Sequence, residues 1–337
     1  MSRFGGKKRA LTKEEITYYT KELGGEYVIG RQLGRSGEMS SAYLLTDKKG
    51  NHFVLKIPND SEELEKWGNI QKRAKERRDL YVGDYQGRIN VPNTLKIGRD
   101  FVVEELAEGK EFFNFVYQKL SPIQKKKVAQ DLGEFISYSH QRTVTGKMAK
   151  LYPNQQDRIS WQDMYDYYKP VLTENEKKAL RKEMKIHMQQ KEAPEVLAFR
   201  DYRFSNMLWD DKEKRLSIID FGCVKNASVY EEFTSNAAGS TQISYQFLAD
   251  VINAYNHAPK KHPISIDLET VRHNCFLGIY HEFARCNIGR NPPEKYLKEL
   301  RAELKKLNEL MLPSVPKKIL AKGNAISIIK KGRQNDS

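Results

Sequence analysis

A chain of 337 residues, 39% hydrophobic and 30% charged, has room for two lobes with separate cores, and it carries a formal charge of +14. No apolar run is long enough for a membrane span, and the opening MSRFGGKKRALTKEE has basic residues but neither the apolar core nor the cleavage site of a secretory signal. Cys223, Cys275 and Cys286 are odd in number and far apart, which points to a reduced, cytosol-type protein without a disulfide framework.

Residues 1 to about 12 read as a basic arm, and Thr12 opens an amphipathic stretch with Glu14 and Glu15 in its first turn. From Tyr27 the period becomes strand-like: YVIGRQLG, SAYLLTD, a Lys-Lys-Gly-Asn turn, then HFVLKIP. Gly34, Ser36 and Gly37 lie in the turn between the first two strands, where backbone N–H groups can approach a phosphate closely. Lys56 closes the third strand, in place to bring an ammonium onto nucleotide phosphates; the plainer reading is an edge-strand lysine facing solvent. Residues 61–80 read as a helix starting at Ser61, with Glu62 and Glu63 in its first turn. A carboxylate of this helix should hold Lys56, Glu76 being better placed and Glu65 second, although either fits an ordinary surface pair with the surrounding arginines and lysines.

Asp100–Val103 then reads as a strand that runs through Glu104, Glu105 and Leu106 to Gly109, a hinge whose backbone at Glu104 and Leu106 is suited to an adenine edge. The pattern beyond Phe112 is helical. Ser121-Pro122 starts one helix with an apolar face of Ile123, Val128, Leu132, Phe135 and Ile136, and residues 160–190 hold two more, divided by Pro170. The segment from Val196 to Val224, VLAFRDYRFSNMLWDDKEKRLSIIDFGCV, brings together Asp201, Asn206 and Asp220 around a strand-turn-strand. An acid, a carboxamide and a second acid in this order suit a base that orients a hydroxyl and two groups that hold magnesium on a nucleoside triphosphate. More helices follow to about residue 312, and the basic stretch from Pro313 has little periodicity.

These residues resemble the protein-kinase-like superfamily, closest to the branch of aminoglycoside phosphotransferases and choline kinases. The Gly34–Lys56 spacing, the EELAEG hinge, D-x4-N at Asp201–Asn206 and IIDFG at 218–222 carry the resemblance. It implies a bilobal α+β fold with a small β-rich N-lobe and a larger helical C-lobe. It also implies Asp201 as the catalytic base or orienting acid, Asn206 and Asp220 as magnesium ligands, Lys56 on the phosphates, and Glu231 or Glu232 as an acid bracing the loop. ATP is the implied phosphate donor, with magnesium, or manganese in its place. The sequence departs from the pattern at Phe199, where the superfamily keeps a histidine, and an apolar brace is expected there. Ser36 and Met39 stand where protein kinases keep glycines.

The expected division is a basic arm over 1–20, an N-lobe over 21–106, a C-lobe over 107–312 and a basic tail over 313–337. The expected activity is transfer of the γ-phosphate of ATP to a hydroxyl, first of a small molecule. One alternative is an atypical effector protein kinase, delivered into a host cytosol and switched by a polyanion such as an inositol phosphate or an anionic lipid surface. Another is a nucleotide-binding scaffold. The basic residues lie in scattered clusters such as Lys7-Lys8-Arg9 and Lys125-Lys126-Lys127, mostly read as solvated helix faces, with no nucleic-acid module around them. A cytoplasmic location is expected. His281-Glu282 begins like a zinc-protease helix, but Arg285 stands where the second ligand belongs. Trp161, Tyr165, Tyr167 and Tyr168 suit helix packing or, alternatively, an acceptor pocket; Cys223 reads as a packing residue.

Overall fold

The computed structural model describes residues 10–33, 40–59, 64–144, 161–189, 193–202, 206–234, 245–261, 264–285 and 294–310. Gly34, Ser36, Gly37, the start of the predicted helix at Ser61–Glu63, Cys286 and the basic stretch from Pro313 lie outside the described residues.

The first helix, α1 (Lys13–Glu22), starts where Thr12 and Glu15 form a reciprocal cap: the Thr12 side chain accepts from Glu15 N and the Glu15 carboxylate accepts from Thr12 N. It ends at Gly24 and Gly25, both at positive φ, a turn that residues with a β-carbon resist. Residues 13–20 are therefore part of a folded element and not of an arm. Tyr19 and Leu23 pack into the N-lobe core with Tyr43, Leu45, Leu55, Ile57, Phe101 and Val103.

Those strand residues come from β2 (Ser40–Asp47), β3 (His52–Pro58) and, beyond α2 (Leu64–Val82) and β4 (Thr94–Ile97), from β5 (Val102–Glu105) and the residue before it, while β1 (Tyr27–Gln32) adds the partly buried Tyr27 and Ile29 against them. The five strands form one antiparallel sheet in the order β1-β2-β3-β5-β4. Alternation along β3 and β5 sends Leu55, Ile57 and Val103 to the core and leaves Lys56 and Glu104 on the opposite face. Helix α2 is held against the β4–β5 turn at Gly68, whose N–H donates to Arg99 O at 3.1 Å. A β-carbon there would lie 2.8 Å from Gly98 O, so only glycine permits this approach.

After the connection Leu106–Gly109, β6 (Lys110–Glu111) joins a second sheet, and α3 (Pro122–Thr143) begins at Ser121, which shares a reciprocal cap with Gln124. The apolar face of α3 buries Val128, Leu132, Phe135 and Ile136, whereas Ile123, in the first turn, is 82% exposed and lies off the core. Two helices follow on either side of Pro170, α4 (Trp161–Tyr168) and α5 (Glu174–Gln189). Then come β7 (Glu195–Ala198), β8 (Met207–Asp210), β9 (Arg215–Ile218), β10 (Lys225–Ser228), the single turn α6 (Glu231–Thr234), α7 (Tyr245–His257), α8 (Leu268–Arg285) and α9 (Glu294–Leu310). The large core runs through α3, α7 and α8, with Phe135, Ile136, Val251, Tyr255, Val271 and Leu277 among its members. Among the described residues no helix is long and apolar enough to cross a membrane.

Just past α7, Lys260 has its ammonium 4.4 Å from the centre of the Tyr255 ring and donates to Ile264 O. Burial pushes its pKa down to about 8, against about 10.4 for an unfolded lysine. Between these values the unfolded chain binds a proton that the folded chain lacks, so this residue makes stability rise with pH across the window. Urea midpoints of the wild type should therefore gain on those of Lys260→Met as pH rises from about 8 to 10. A constant difference would refute the assignment.

Candidate active site

Two antiparallel strand pairs shape the site. The inner pair is the β8–β9 hairpin, with Met207 opposite Ile218 and Asp210 opposite Arg215. Asp210 accepts from Lys212 N and Glu213 N to shape its turn. At the open end Ile219 N donates to Asn206 O at 3.0 Å, which extends the pairing by one step and sets Asn206 opposite the residue that precedes Asp220. The outer pair is β7 with β10, registered Ala198 to Lys225 and Glu195 to Ser228. It draws together the segment ending at Asp201 and the segment following Asp220. Arg200 and Asp220 both have positive φ, 58° and 65°, a conformation found at few non-glycine positions outside tight turns and functional sites.

Asp201 and Asn206 are buried, 8% and 6% exposed, and the Asn206 amide nitrogen donates to Asp201 Oδ2 at 3.0 Å and to Asp201 O at 3.1 Å. That bond fixes the Asp201 carboxylate and turns the Asn206 carboxamide oxygen away from it. The Asp220 side chain is 60% exposed, and one of its oxygens lies 3.9 Å from Lys56 Nζ. The two acids thus have different settings, one held in the loop and one open to a ligand.

The loop is braced from α6. Glu232, fully buried, accepts from Phe199 N at 2.7 Å and from the Tyr81 hydroxyl at 2.6 Å. Tyr202 Oη lies 2.8 Å from Tyr81 Oη and completes the chain of hydroxyls. Burial first, and the Glu232 charge second, push both tyrosine pKa values well up, so both remain neutral. His140 Nε2 stands 3.4 Å from Glu232 Oε2, within ion-pair range but without hydrogen-bond geometry, and His140 Nδ1 meets Tyr255 Oη at 3.2 Å. Glu231 takes the neighbouring role by pairing with Arg200 at 3.2 Å. Both acids named as alternatives in the sequence therefore act on the loop, through different residues.

Phe199 is fully buried and packs against Phe221 at 4.6 Å and Tyr202 at 4.8 Å between ring centres. The expected apolar brace is present, and it reaches the Asp220 segment directly. Tyr81, at the end of α2, is the part that sequence reading missed. Its helix comes from the N-lobe side, yet its ring lies in the C-lobe core, and Arg77 on the same helix donates to Val224 O at 3.2 Å. No local signal separates this tyrosine from an ordinary helix-face residue.

Lys56 is a correction. Among the described residues, the carboxylates in ion-pair range of its ammonium are Glu104 at 2.9 Å and Asp220 at 3.9 Å. Glu76 is exposed to solvent, and the side chain of Glu65 lies outside the described residues. Burial opposes the Lys56 charge, but Glu104 and then Asp220 outweigh it and hold the pKa above its usual value. Glu104 itself differs from its expected role. It lies inside the sheet, with Val54 on one side and Thr94 on the other, so a base cannot meet its backbone edge-on. Leu106 stands past the end of β5, in the connection to the C-lobe. At Gly109 φ is 133°, and a β-carbon would fall 2.4 Å from Trp209 O, so glycine is required where the chain enters the second sheet.

The aromatic cluster resolves into packing for two of its members: Tyr165 and Tyr168 are buried, and Tyr168 donates to Tyr280 O at 3.0 Å. Among the described residues no group of three or more His, Cys, Asp or Glu side chains is arranged to hold a metal. Cys223, expected to pack, is exposed, whereas Cys275 is fully buried and burial raises its thiol pKa. Iodoacetamide should modify Cys223 long before Cys275 in the folded protein, as read by peptide mass mapping. Equal rates would contradict the burial of Cys275.

A model of the phosphotransferase enzyme family (APH) matches residues 31–265, a span that contains Lys56, Asp201, Asn206 and Asp220. The chain belongs to this family. It is a kinase, an enzyme that transfers phosphate to a hydroxyl group. Solved structures agree with this phosphotransferase in fold. The streptomycin–ATP ternary complex of APH(2'')-IIa superposes with a TM-score of 0.59 at 15% identity, covering 89% of this chain and 99% of that one. The GDP complex of aminoglycoside 2'-phosphotransferase-IIIa gives 0.61 at 16% identity, over 89% and 100%. The macrolide 2'-phosphotransferase MphH from Brachybacterium faecium, without ligand, gives 0.56 at 13% identity, over 86% and 98%. A search of curated protein sequences finds no match to this phosphotransferase.

Proposed function

We propose that this phosphotransferase moves the γ-phosphate of ATP to a hydroxyl of a small molecule, at a site formed by Lys56, Asp201, Asn206 and Asp220. The observation that carries the reading is the gathering of these groups: Asn206 and Asp220 at the open end of one hairpin, Asp201 hydrogen-bonded to Asn206, and Lys56 3.9 Å from Asp220. Phosphoryl transfer depends mainly on alignment and charge neutralisation, and this set supplies both.

In this reading Asp201 orients the acceptor hydroxyl and takes its proton, its carboxylate held by Asn206. Lys56 draws the nucleotide phosphates into the cleft between the sheets. Asn206 and Asp220 would hold magnesium: both offer hard oxygen donors, and a site of one carboxylate and one carboxamide leaves places for phosphate oxygens and water, as magnesium requires. The ion, when bound, neutralises charge on the transferring phosphate. A small acceptor is favoured by the family and by the aminoglycoside bound in a structure of the same fold.

The test is turnover of γ-labelled ATP by the purified protein with magnesium or manganese, beside Asp220→Ala. A panel of aminoglycosides, macrolides and amino alcohols serves as acceptors, with GTP as a second donor and an inositol polyphosphate as an additive. Turnover that rises with one small acceptor and vanishes in the variant supports the reading. Label that appears on protein instead would replace the small acceptor with a protein one.

A further inference from the structure

We infer that Glu104 positions Lys56, so that the lysine is set from within the sheet it belongs to. The inference rests on the proposed nucleotide role of Lys56 and adds its partner. Strand register makes the case. Lys56 lies opposite Val102 and Val54 opposite Glu104 in the β3–β5 pairing, which makes Lys56 and Glu104 diagonal neighbours on one face of the sheet. Long side chains in that relation are within reach of each other. The observed distance is 2.9 Å, with the side chains 15% and 20% exposed, so the pair is shielded from most solvent.

Helix α2 offers no substitute among its described carboxylates. Glu76 is exposed, and Asp79 is taken by Lys75 and Arg78. The helix is also tied at its far end by Tyr81 and Arg77 to the loop of the C-lobe. A lysine paired across two hydrogen-bonded strands keeps its partner whatever α2 does. The pair therefore exists before a nucleotide arrives, and Glu104 leaves Lys56 directed toward Asp220 and the phosphate side of the cleft. Because the side chain of Glu104 faces the site while its backbone is enclosed by β3 and β4, its contribution is the carboxylate alone.

A double-mutant cycle tests this, using Lys56→Met, Glu104→Gln, Glu104→Asp and the Lys56→Met/Glu104→Gln double variant, with kcat and KM for ATP measured on each. Lys56→Met should lower kcat/KM by about 10²–10³-fold, the loss found when one charge-stabilising donor is removed. Glu104→Gln should lower it by about 10–100-fold, the scale of losing a supporting partner. The double variant should be no worse than Lys56→Met. Glu104→Asp separates charge from shape: it keeps the carboxylate but leaves a larger void than glutamine, so recovery of activity by aspartate assigns the effect to the ion pair. Multiplying effects in the double variant, or a glutamine variant as active as the wild type, would overturn the inference. A wild type with no ATP turnover at all would instead count against the nucleotide reading.

Discussion

Replacing Asp201 with asparagine should lower kcat by about 10²–10⁴-fold, the range for loss of a positioned proton acceptor. The substitution changes charge and basicity but little else. Asparagine has nearly the same shape, and its side-chain oxygen can still accept the 3.0 Å bond from Asn206. The backbone at Arg200, at φ 58°, and the brace from Phe199 N to Glu232 are untouched. Of the two loop acids, Asp220 and not Asp201 stands within ion-pair range of Lys56. KM for ATP should accordingly change by no more than about threefold, well below the loss in kcat, because uniform binding is retained when only a transition-state interaction is removed. Steady-state kinetics at saturating acceptor give both values. A kcat within tenfold of the wild type would exclude Asp201 as the proton acceptor, and a large rise in KM with kcat unchanged would make it a binding group.

Glu232→Ala is the change expected to damage the fold most. The Glu232 carboxylate is buried and receives the Phe199 N–H and the Tyr81 hydroxyl, with His140 at 3.4 Å. Alanine leaves the buried Phe199 N–H without its acceptor, takes one partner from the Tyr81 hydroxyl, and opens a void between α2, α3 and the loop at Phe199–Tyr202. Breaking a buried charged network from one side costs about 3–5 kcal/mol. At roughly 2–4 °C per kcal/mol for a domain of the C-lobe's size, the melting temperature should fall by about 6–20 °C. Activity should fall too, since Phe199 carries the brace to Arg200 and Asp201. Tyr81→Phe removes a single hydroxyl and should cost only about 1–3 kcal/mol. Thermal and urea unfolding of the three proteins would check the order. A Glu232→Ala protein as stable as the wild type would show that the network contributes nothing net.

These two residues also mark the line between what is local and what is not. Asp201, Asn206 and Asp220 lie within one short stretch, and a strand-turn-strand with paired register places its two ends together, so their meeting follows from nearby chain alone. Helix starts at Thr12 and Ser121 are equally local, because a reciprocal cap needs only residues three apart. The span matched by the family model, residues 31–265, contains that short stretch. The partner of Lys56 is a different kind of fact. Glu104 reaches it because β5 inserts between β3 and β4, a strand order that no periodicity encodes, whereas the helical acid favoured from sequence points into solvent. Tyr81 and Ile123 show the same limit from both sides: a polar-tipped ring on a charged helix is buried by the lobe it meets, and an isoleucine in apolar register is left outside because its turn precedes the packed face. Local sequence determined the β8–β9 hairpin, the caps and the succession of strands and helices, since these depend on hydrogen bonds and turns between near neighbours. Tertiary packing alone decided which carboxylate holds the lysine and which buried acid holds the loop, since each pairing joins segments brought together only when the sheets and helices have assembled.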